Sequence, residues 1–303
     1  MSRDWSSAFE AWGKPPSQTE QDEIARTERQ IKEALDAHPG LSDKRIRAYG
    51  KGSHVRGTNV RRGSDVDVAV ELRGDERTGD SWIIKKAFEA TGLSDEELGL
   101  VSVDLGYDVA QLKSDVYDAL VTAFGITAVT RKNKCIEVRE LATTLPADVV
   151  PCRTTRRYDS KAVSNEGIVI RPDNGGEIVN WPKQDLKNGT DKNTNMSTRF
   201  KRAVRGVKAL SNEMVEAGAI TEVPSFMLEC GVYNVPNSEF SSTSNYSNCL
   251  SVFRVMSSAI ASEEYEDWVE VNELKYLFRS SQSWSVNDLS KFLIAAVDYL
   301  GVG

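Results

Sequence analysis

The chain has 303 residues, 40% of them hydrophobic and 27% charged, with a formal net charge of -7. That length can bury one large core or two joined ones. No apolar run nears the roughly 18 residues of a membrane span, and the N-terminal MSRDWSSAFEAWGK has no apolar stretch of the kind a secretory leader needs.

The acidic balance argues against a nucleic-acid template or substrate, because a protein that grips a long phosphate backbone usually carries a basic excess. It says nothing against small nucleotides. Four scattered cysteines (Cys135, Cys152, Cys230 and Cys249) show no CxxC spacing, so neither a zinc site nor a disulfide framework is indicated. Reduced thiols in a cytoplasmic protein are the simplest expectation.

In chain order, Ser7 to Ala37 is predicted as a long polar helix with Ile24, Ile31 and Leu35 at helical spacing. Pro15 and Pro16 must interrupt or start it, and His38-Pro39-Gly40 ends it. IRAYGKGS, Ile46 to Ser53, reads as a strand running into a Gly-Ser turn. SDVDVAVEL, Ser64 to Leu72, alternates: Val66, Val68, Val70 and Leu72 take one face, Asp65, Asp67, Ala69 and Glu71 the other. Helices are predicted at Ser81–Ala90 and Val109–Phe124, then short strands in ITAVTR, CIEVREL, ADVVPC and GIVIRP. RPDNGGEIVNWPKQDLKNGTDKN is rich in Gly, Asn, Asp and Pro and reads as loop and boundary. Beyond it the strand signals stop. RFKRAVRGVKALSNEM has an apolar stripe of Phe200, Val204, Val207, Ala209 and Leu210, and further helices are predicted at Pro224–Val235, Asn248–Ala261 and Val286–Leu300. The expected layout is an α/β half over residues 1–181, including the N-terminal helix, and a helical half over 182–303, with the seam near Trp181-Pro182.

The chemistry concentrates in GSHVRGTNVRRGSDVDVAV, Gly52 to Val70. Residues two apart on a strand point the same way, so Asp65 and Asp67 present two carboxylates to one spot. Their repulsion calls for a divalent cation, and hard oxygen ligands suit magnesium. Gly52 lets a phosphate approach the backbone closely, while its amide and the Ser53 hydroxyl can donate to phosphate oxygens. A two-metal site needs a third carboxylate. Asp148 is the choice, because an aspartate inside the apolar run ADVVPC needs a partner. Asp104 and Asp108 are weaker rivals, set where an aspartate more often caps a helix.

The stretch KGSHVRGTNVRRGSDVDVAVEL resembles the bacterial cGAS/DncV-like nucleotidyltransferases (CD-NTases) of the polymerase-β-like superfamily. The resemblance continues through ADVVPC, GIVI, IVNWPKQDLKNGTDKN and RFKRAVRGVKAL to VPSFMLECGVYNVP, roughly Tyr49 to Pro236. It implies an α+β fold: a nucleotidyltransferase core of mixed sheet with helices, plus a helical second lobe across a central cleft. It implies a cyclic oligonucleotide synthase that joins ATP, GTP, UTP or CTP with release of pyrophosphate, making a cyclic di- or trinucleotide messenger in anti-phage (CBASS) defence, where a downstream effector meets only the product. Asp65, Asp67 and Asp148 would then hold two Mg2+ ions, with Mn2+ as a substitute. Ser53, Lys208 and Ser225 would contact the triphosphate, and Asn165 would be a candidate reader of the base. The residues alone leave Lys208 open as a solvated helix face, Ser225 as an N-cap and Asn165 as a turn residue. Synthesis of linear products, another acceptor, or a non-catalytic nucleotide-binding relative are the alternatives. No Cys/His cluster interrupts the chain, so a DNA-binding thumb is not expected.

Arg56, Arg61, Arg62, Arg199, Lys201, Arg202 and Arg205 are either a solvated face with weak surface pairs or cations for an anion-filled cleft. His54 reads as polar surface and His38 as a helix-end residue. At the C-terminus Gly301 is expected to end the last helix as a C′ residue, leaving a short frayed tail. The resemblance adds a sharper expectation, that an E1/E2-like partner conjugates the carboxylate of Gly303.

Overall fold

The computed structural model describes residues 3–60, 65–73, 82–83, 106–159, 163–279 and 282–302, with backbone alone at 82–83. The expectations for Arg61, Arg62, Asp104 and Gly303 fall outside the described residues. So does most of the helix predicted at Ser81–Ala90, whose described residues 82–83 are strand.

The long N-terminal helix is two. α1 (Trp5–Trp12) starts at an Asp4 cap, and α2 (Gln18–Asp36) starts at a capping box in which Ser17 and Glu20 satisfy each other's backbone amides. Pro15 and Pro16 fall in the break, where a missing N–H and a fixed φ cost nothing. β1 (Ile46–Gly50) leads into a five-residue helical turn, α3 (Gly52–Arg56), and then comes β2 (Val66–Leu72). β3 (Trp82–Ile83), α4 (Val109–Phe124), β4 (Val129–Arg131), β5 (Ile136–Val138), β6 (Ala147–Tyr158), β7 (Ser164–Ile170) and β8 (Ile178–Asn180) follow. The rest is helical: α5 (Pro182–Asn195), α6 (Arg199–Glu216), α7 (Ser225–Asn234), α8 (Asn245–Ala261) and α9 (Val286–Leu300).

The chain forms two compact units. One comprises Ser17–Val55 and Ser64–Lys183; the other comprises Met1–Pro16, Arg56–Gly63 and Gln184–Gly303. The first holds the whole mixed sheet. Its central strand β6 runs parallel to β2 and β3 and antiparallel to β5 and β7, while β1 closes the edge beyond β2, antiparallel to it. The alternation in β2 decides the faces. Val66, Val68, Val70 and Leu72, with Ala147 and Val149 of β6, bury against Ile31 and Leu35 of α2 and Leu112, Val116 and Leu120 of α4. The opposite face carries a smaller core of Ala69, Val150, Cys152, Ile168 and Ile170. Lys113 of α4 is fully buried and donates to the carbonyls of Lys132 and Asn133, both at 2.8 Å, and to Asp173 at 2.9 Å. It pins the β4–β5 hairpin from within.

The helical unit packs α6 against α7, α8, α9 and α1 around Phe9, Phe200, Val204, Val207, Leu210, Phe253 and Phe292. Gly206 permits the close approach, since an added Cβ would sit 3.0 Å from Asn245 and 3.1 Å from Phe9. The segment predicted as loop around NWPKQDLKNGTDKN contains β8 and α5 instead. Its Gly, Asn and Asp are poor helix formers, so tertiary anchors hold α5. Asn188 donates to the Val271 carbonyl at 3.0 Å, and Lys192 to the Val235 carbonyl at 2.9 Å. Pro182 occupies the first helical position, where its missing N–H is harmless.

Candidate active site

The parallel register of β2 and β6 aligns Asp67 with Asp148, one beside the other. Antiparallel pairing of β5 then sets Glu137 on the other side of Asp148. Residues aligned across a ladder share a face, so three carboxylate-bearing positions stand in a row. Asp65 precedes β2 and is exposed. Protein crowding around its carboxyl raises its pKa, and the charges of Asp148, Asp67 and Glu137 push the same way. Burial also raises Asp148; a hydrogen bond from Cys135 and the charge of Lys51 oppose that, while Asp67 and Glu137 add to it. The sequence reading singled out Asp65, Asp67 and Asp148 but missed Glu137, Lys51 and Cys135. Lys51 Nζ stands 3.4 Å from Asp67, and the Cys135 thiol donates to Asp148 at 3.3 Å. Burial, then the charge of Asp148, push the Cys135 thiol up to about 12.

The turn before these carboxylates is built around Gly52. Its φ is +77°, and an added Cβ would stand 1.9 Å from the Asp67 carboxylate. Both facts require glycine: the left-handed backbone and the absent side chain that lets Asp67 lie against the turn. The Lys51 amide donates to the Asp67 carbonyl at 2.9 Å, locking turn to strand. Ser53 follows on α3, half-buried. His54 is not polar surface. Its Nε2 meets Glu28 of α2 at 2.9 Å, with the imidazole largely buried, so it braces α3 against α2. Asp108 caps α4 in a box with Gln111, which accounts for that carboxylate structurally.

Glu71, on the same face of β2 as Asp67, is buried and accepts from Arg47 and Thr154, each at 2.6 Å. A buried carboxylate with these two donors is satisfied. Asn165 lies in β7, not in a turn, and its amide donates to Asp159 at 2.7 Å.

In the helical unit Lys208 is 3% exposed, so it is no solvated face; its Nζ donates to Glu229 at 2.6 Å. Glu229 also accepts from Arg56 at 2.8 and 3.2 Å and from Thr58 at 2.9 Å. Burial alone would raise the Glu229 carboxyl, but the charges of Arg56 and Lys208, with hydrogen bonds from both, hold it far below the usual range. Burial lowers Lys208, and the Glu229 charge opposes that. Ser225 is the first residue of α7 and is exposed. Pro224 holds the N-cap position, so the hydroxyl of Ser225 is not a capping group. Arg205 is buried and donates to the carbonyls of Gly13 and Gly57, and Arg202 donates to Glu10 at 2.5 Å. Arg205 is therefore architectural, while Arg202 makes a partly exposed pair of the kind the solvated-face reading expects.

Carboxylates side by side on neighbouring parallel strands, next to a Gly-Ser turn, are the arrangement that the resemblance to nucleotidyltransferases implies. The family model of the cGAS/DncV-like nucleotidyltransferase C-terminal helical domain matches residues 187–301. The chain is 36% identical over 304 residues to a cyclic dipyrimidine nucleotide synthase CdnE of Legionella pneumophila, covering 99% of both proteins. It is 33% identical to a cyclic dipurine nucleotide synthase of Elizabethkingia meningoseptica, covering 96% of each. It superimposes on the CdnE c-UMP-AMP synthase of Rhodothermus marinus, solved with Apcpp and Upnpp, with a TM-score of 0.80 and 28% identity, covering 98% of this chain and 97% of that one. The chain belongs to the bacterial cGAS/DncV-like nucleotidyltransferases.

All four cysteines are free, and no described helix is long and apolar enough to cross a membrane. Among the described residues, no group of three or more His, Cys, Asp or Glu side chains is gathered closely enough to hold a metal ion as it stands. The donor set nevertheless suits a hard cation in type. Asp65 and Asp148 carry raised pKa values through burial and the charges of neighbouring carboxylates, and Asp67 has already drawn the cation of Lys51.

Proposed function

We propose that the chain is a cyclic dinucleotide synthase that joins two nucleoside triphosphates by Mg2+-dependent phosphodiester formation and makes a messenger for anti-phage signalling. The observation that carries this reading is the alignment of Asp67 with Asp148 across β2 and β6, beside a glycine that admits no side chain. Asp65, Asp67 and Asp148 would hold Mg2+, which when bound neutralises the triphosphate and lowers the pKa of the attacking hydroxyl. Asp148 positions the ribose hydroxyl of one nucleotide and takes its proton. That oxygen attacks the α-phosphorus of the second, and the bond to pyrophosphate breaks. A second attack by the new molecule's free hydroxyl on its remaining α-phosphorus closes the ring and releases the second pyrophosphate.

Ser53, Lys208 and Ser225 are proposed as triphosphate contacts. Relatives with pyrimidine and purine products in their names stand at similar identity, 36% and 33%, so overall likeness does not select the bases. Asn165 is the proposed base reader, and a base would have to draw its amide from Asp159. Thin-layer analysis of products from each radiolabelled NTP, alone and in pairs, tests the function. A phosphatase-resistant cyclic product that requires Mg2+ is the expected result. Linear products, or none with any pair, would sink it. Unchanged base preference in Asn165→Ser would retire Asn165 alone.

Conjugation of Gly303 by an E1/E2-like partner is a separate proposal. α9 ends at Gly301 in the left-handed region, and the Val302 amide still donates to the Val297 carbonyl at 3.2 Å. The last turn would therefore have to open for a conjugating enzyme. Higher-mass conjugates on co-expression that vanish in Gly303→Glu are expected; persistence in that variant would refute it.

A further inference from the structure

The spine helix α6 carries five basic residues, Arg199, Lys201, Arg202, Arg205 and Lys208, and the last four face different fates. Arg202 is spent on Glu10, Arg205 on two backbone carbonyls, and Lys208 on Glu229. Lys201 is half-buried, and among the described residues its Nζ reaches only the Thr190 hydroxyl, at 3.4 Å. Among the described residues it has no carboxylate partner. It also stands among like charges: it senses Arg205 and Arg56, and Glu229, the carboxylate that opposes them, already serves two cations. The Gly57 backbone next to it is open. An added Cβ there would stay 3.7 Å from the Lys201 ammonium.

We propose that Lys201 is a further polyphosphate-binding residue of the nucleotidyltransferase reaction, a cation left without a counter-charge until the triphosphate of a nucleotide supplies one. The inference rests on the reading of the chain as an NTP-using enzyme and adds a residue to it. Burial lowers the Lys201 pKa, and Arg205 and then Arg56 add to the lowering while Glu229 opposes it. A desolvated lysine surrounded by positive charge is costly for the fold alone. An anion removes that cost, and a charge-assisted contact to phosphate is the kind of bond that repays it. Thr190 and the Asn193 side chain, which accepts from the Lys201 amide at 3.0 Å, fix the stem of the residue and leave its charge available.

The test compares wild type with Lys201→Met and Lys201→Arg. Initial rates of pyrophosphate release from an equimolar mix of the four NTPs with Mg2+ give apparent KM and kcat, and inorganic tripolyphosphate serves as a competing probe. Lys201→Met is expected to raise both the apparent KM and the inhibition constant of tripolyphosphate about tenfold or more. Its kcat should stay within a few-fold of wild type and its Tm should hold or rise, since a repelled charge is removed. Lys201→Arg should recover most of the affinity. An unchanged KM and inhibition constant in Lys201→Met would overturn the proposal, as would a fall in Tm with no change in either. Should wild type release no pyrophosphate, the enzymatic reading fails separately. Calorimetric titration of tripolyphosphate into both proteins then decides Lys201 alone: binding lost in Lys201→Met supports it, and equal binding refutes it.

Discussion

The two units treat charge in opposite ways. In the sheet unit Asp65, Asp67, Asp148 and Glu137 crowd together, with Lys51 3.4 Å from Asp67 and a half-exposed Lys132 3.2 Å from Glu137, and burial and repulsion raise Asp65 and Asp148. In the helical unit the buried Glu229 is matched by Arg56, Lys208 and Thr58, and its carboxyl is held low. Matched charge is architecture, because each partner repays the desolvation of the other. Unmatched charge of one sign is a standing cost that a fold tolerates where something from outside will settle it. Pairing within the chain, more than burial, separates the groups that build this protein from those proposed to meet a ligand.

The largest effect expected from breaking this contrast is on catalysis. Asp65→Asn with Asp148→Asn should lower product formation at least about a thousandfold while leaving Tm at pH 7 equal or higher. The sign follows from the raised pKa values: their cost appears as pH rises above the unfolded carboxylate value, so any gain in Tm should fade toward pH 4. Product made at near wild-type rate would place the site elsewhere. Glu229→Ala tests the matched side, where two buried cations lose their partner. It should cost about 3–5 kcal/mol in urea unfolding. The low Glu229 pKa makes its contribution present above the unfolded value and lost on acidification. Less than about 1 kcal/mol would mean the network does not hold the helices.

Gly52→Ala should come next, since it forces strain of about 1–3 kcal/mol at a positive φ and drives Asp67 aside. It should therefore damage activity more than Tm. Asp185 sharpens the comparison as an intermediate case. Burial raises its carboxyl to about 7, Arg56 opposing and Glu270 adding, although Asn272 donates to it at 3.0 Å. The stability of its protonated form is lost as pH climbs from the unfolded carboxylate value to about 7, so the Tm advantage of Asp185→Asn over wild type should grow between about pH 4 and 7 and level off above. A constant difference would show that Asp185 does not titrate there. Arg29→Ala, which removes an exposed pair with Glu33 at 4.0 Å, should change stability by about 0.5 kcal/mol or less.

What the sequence made legible tracks how local the cause is. The alternation of SDVDVAVEL assigned both faces of β2, and Asp148 stood out as an acid in an apolar run. α9 was predicted with its observed bounds because caps and periodicity are written in neighbouring residues. Glu137 escaped because its nearness to Asp148 depends on antiparallel pairing across a hairpin, and CIEVREL shows no signal for that register. α5 read as loop because its composition disfavours helix, and the anchors that overrule it come from Val235 and Val271. Lys208 and Arg205 stayed open between solvated face and anion contact because the pattern of a helix locates its apolar stripe but does not reveal a carboxylate or carbonyl waiting opposite.

β6 touches four other strands of its sheet, β2 and β3 on one side and β5 and β7 on the other. On the ribosome, then, β2 emerges without its neighbour and must wait for about 80 further residues before the ladder that aligns Asp67 with Asp148 can close, a long-range step of the kind that slows folding. A nascent or truncated chain ending before β6 would carry the Gly-Ser turn, Asp65 and Asp67 but not Asp148. Assembly of this fold therefore doubles as a safeguard: a half-made chain lacks the carboxylate set as well as the sheet.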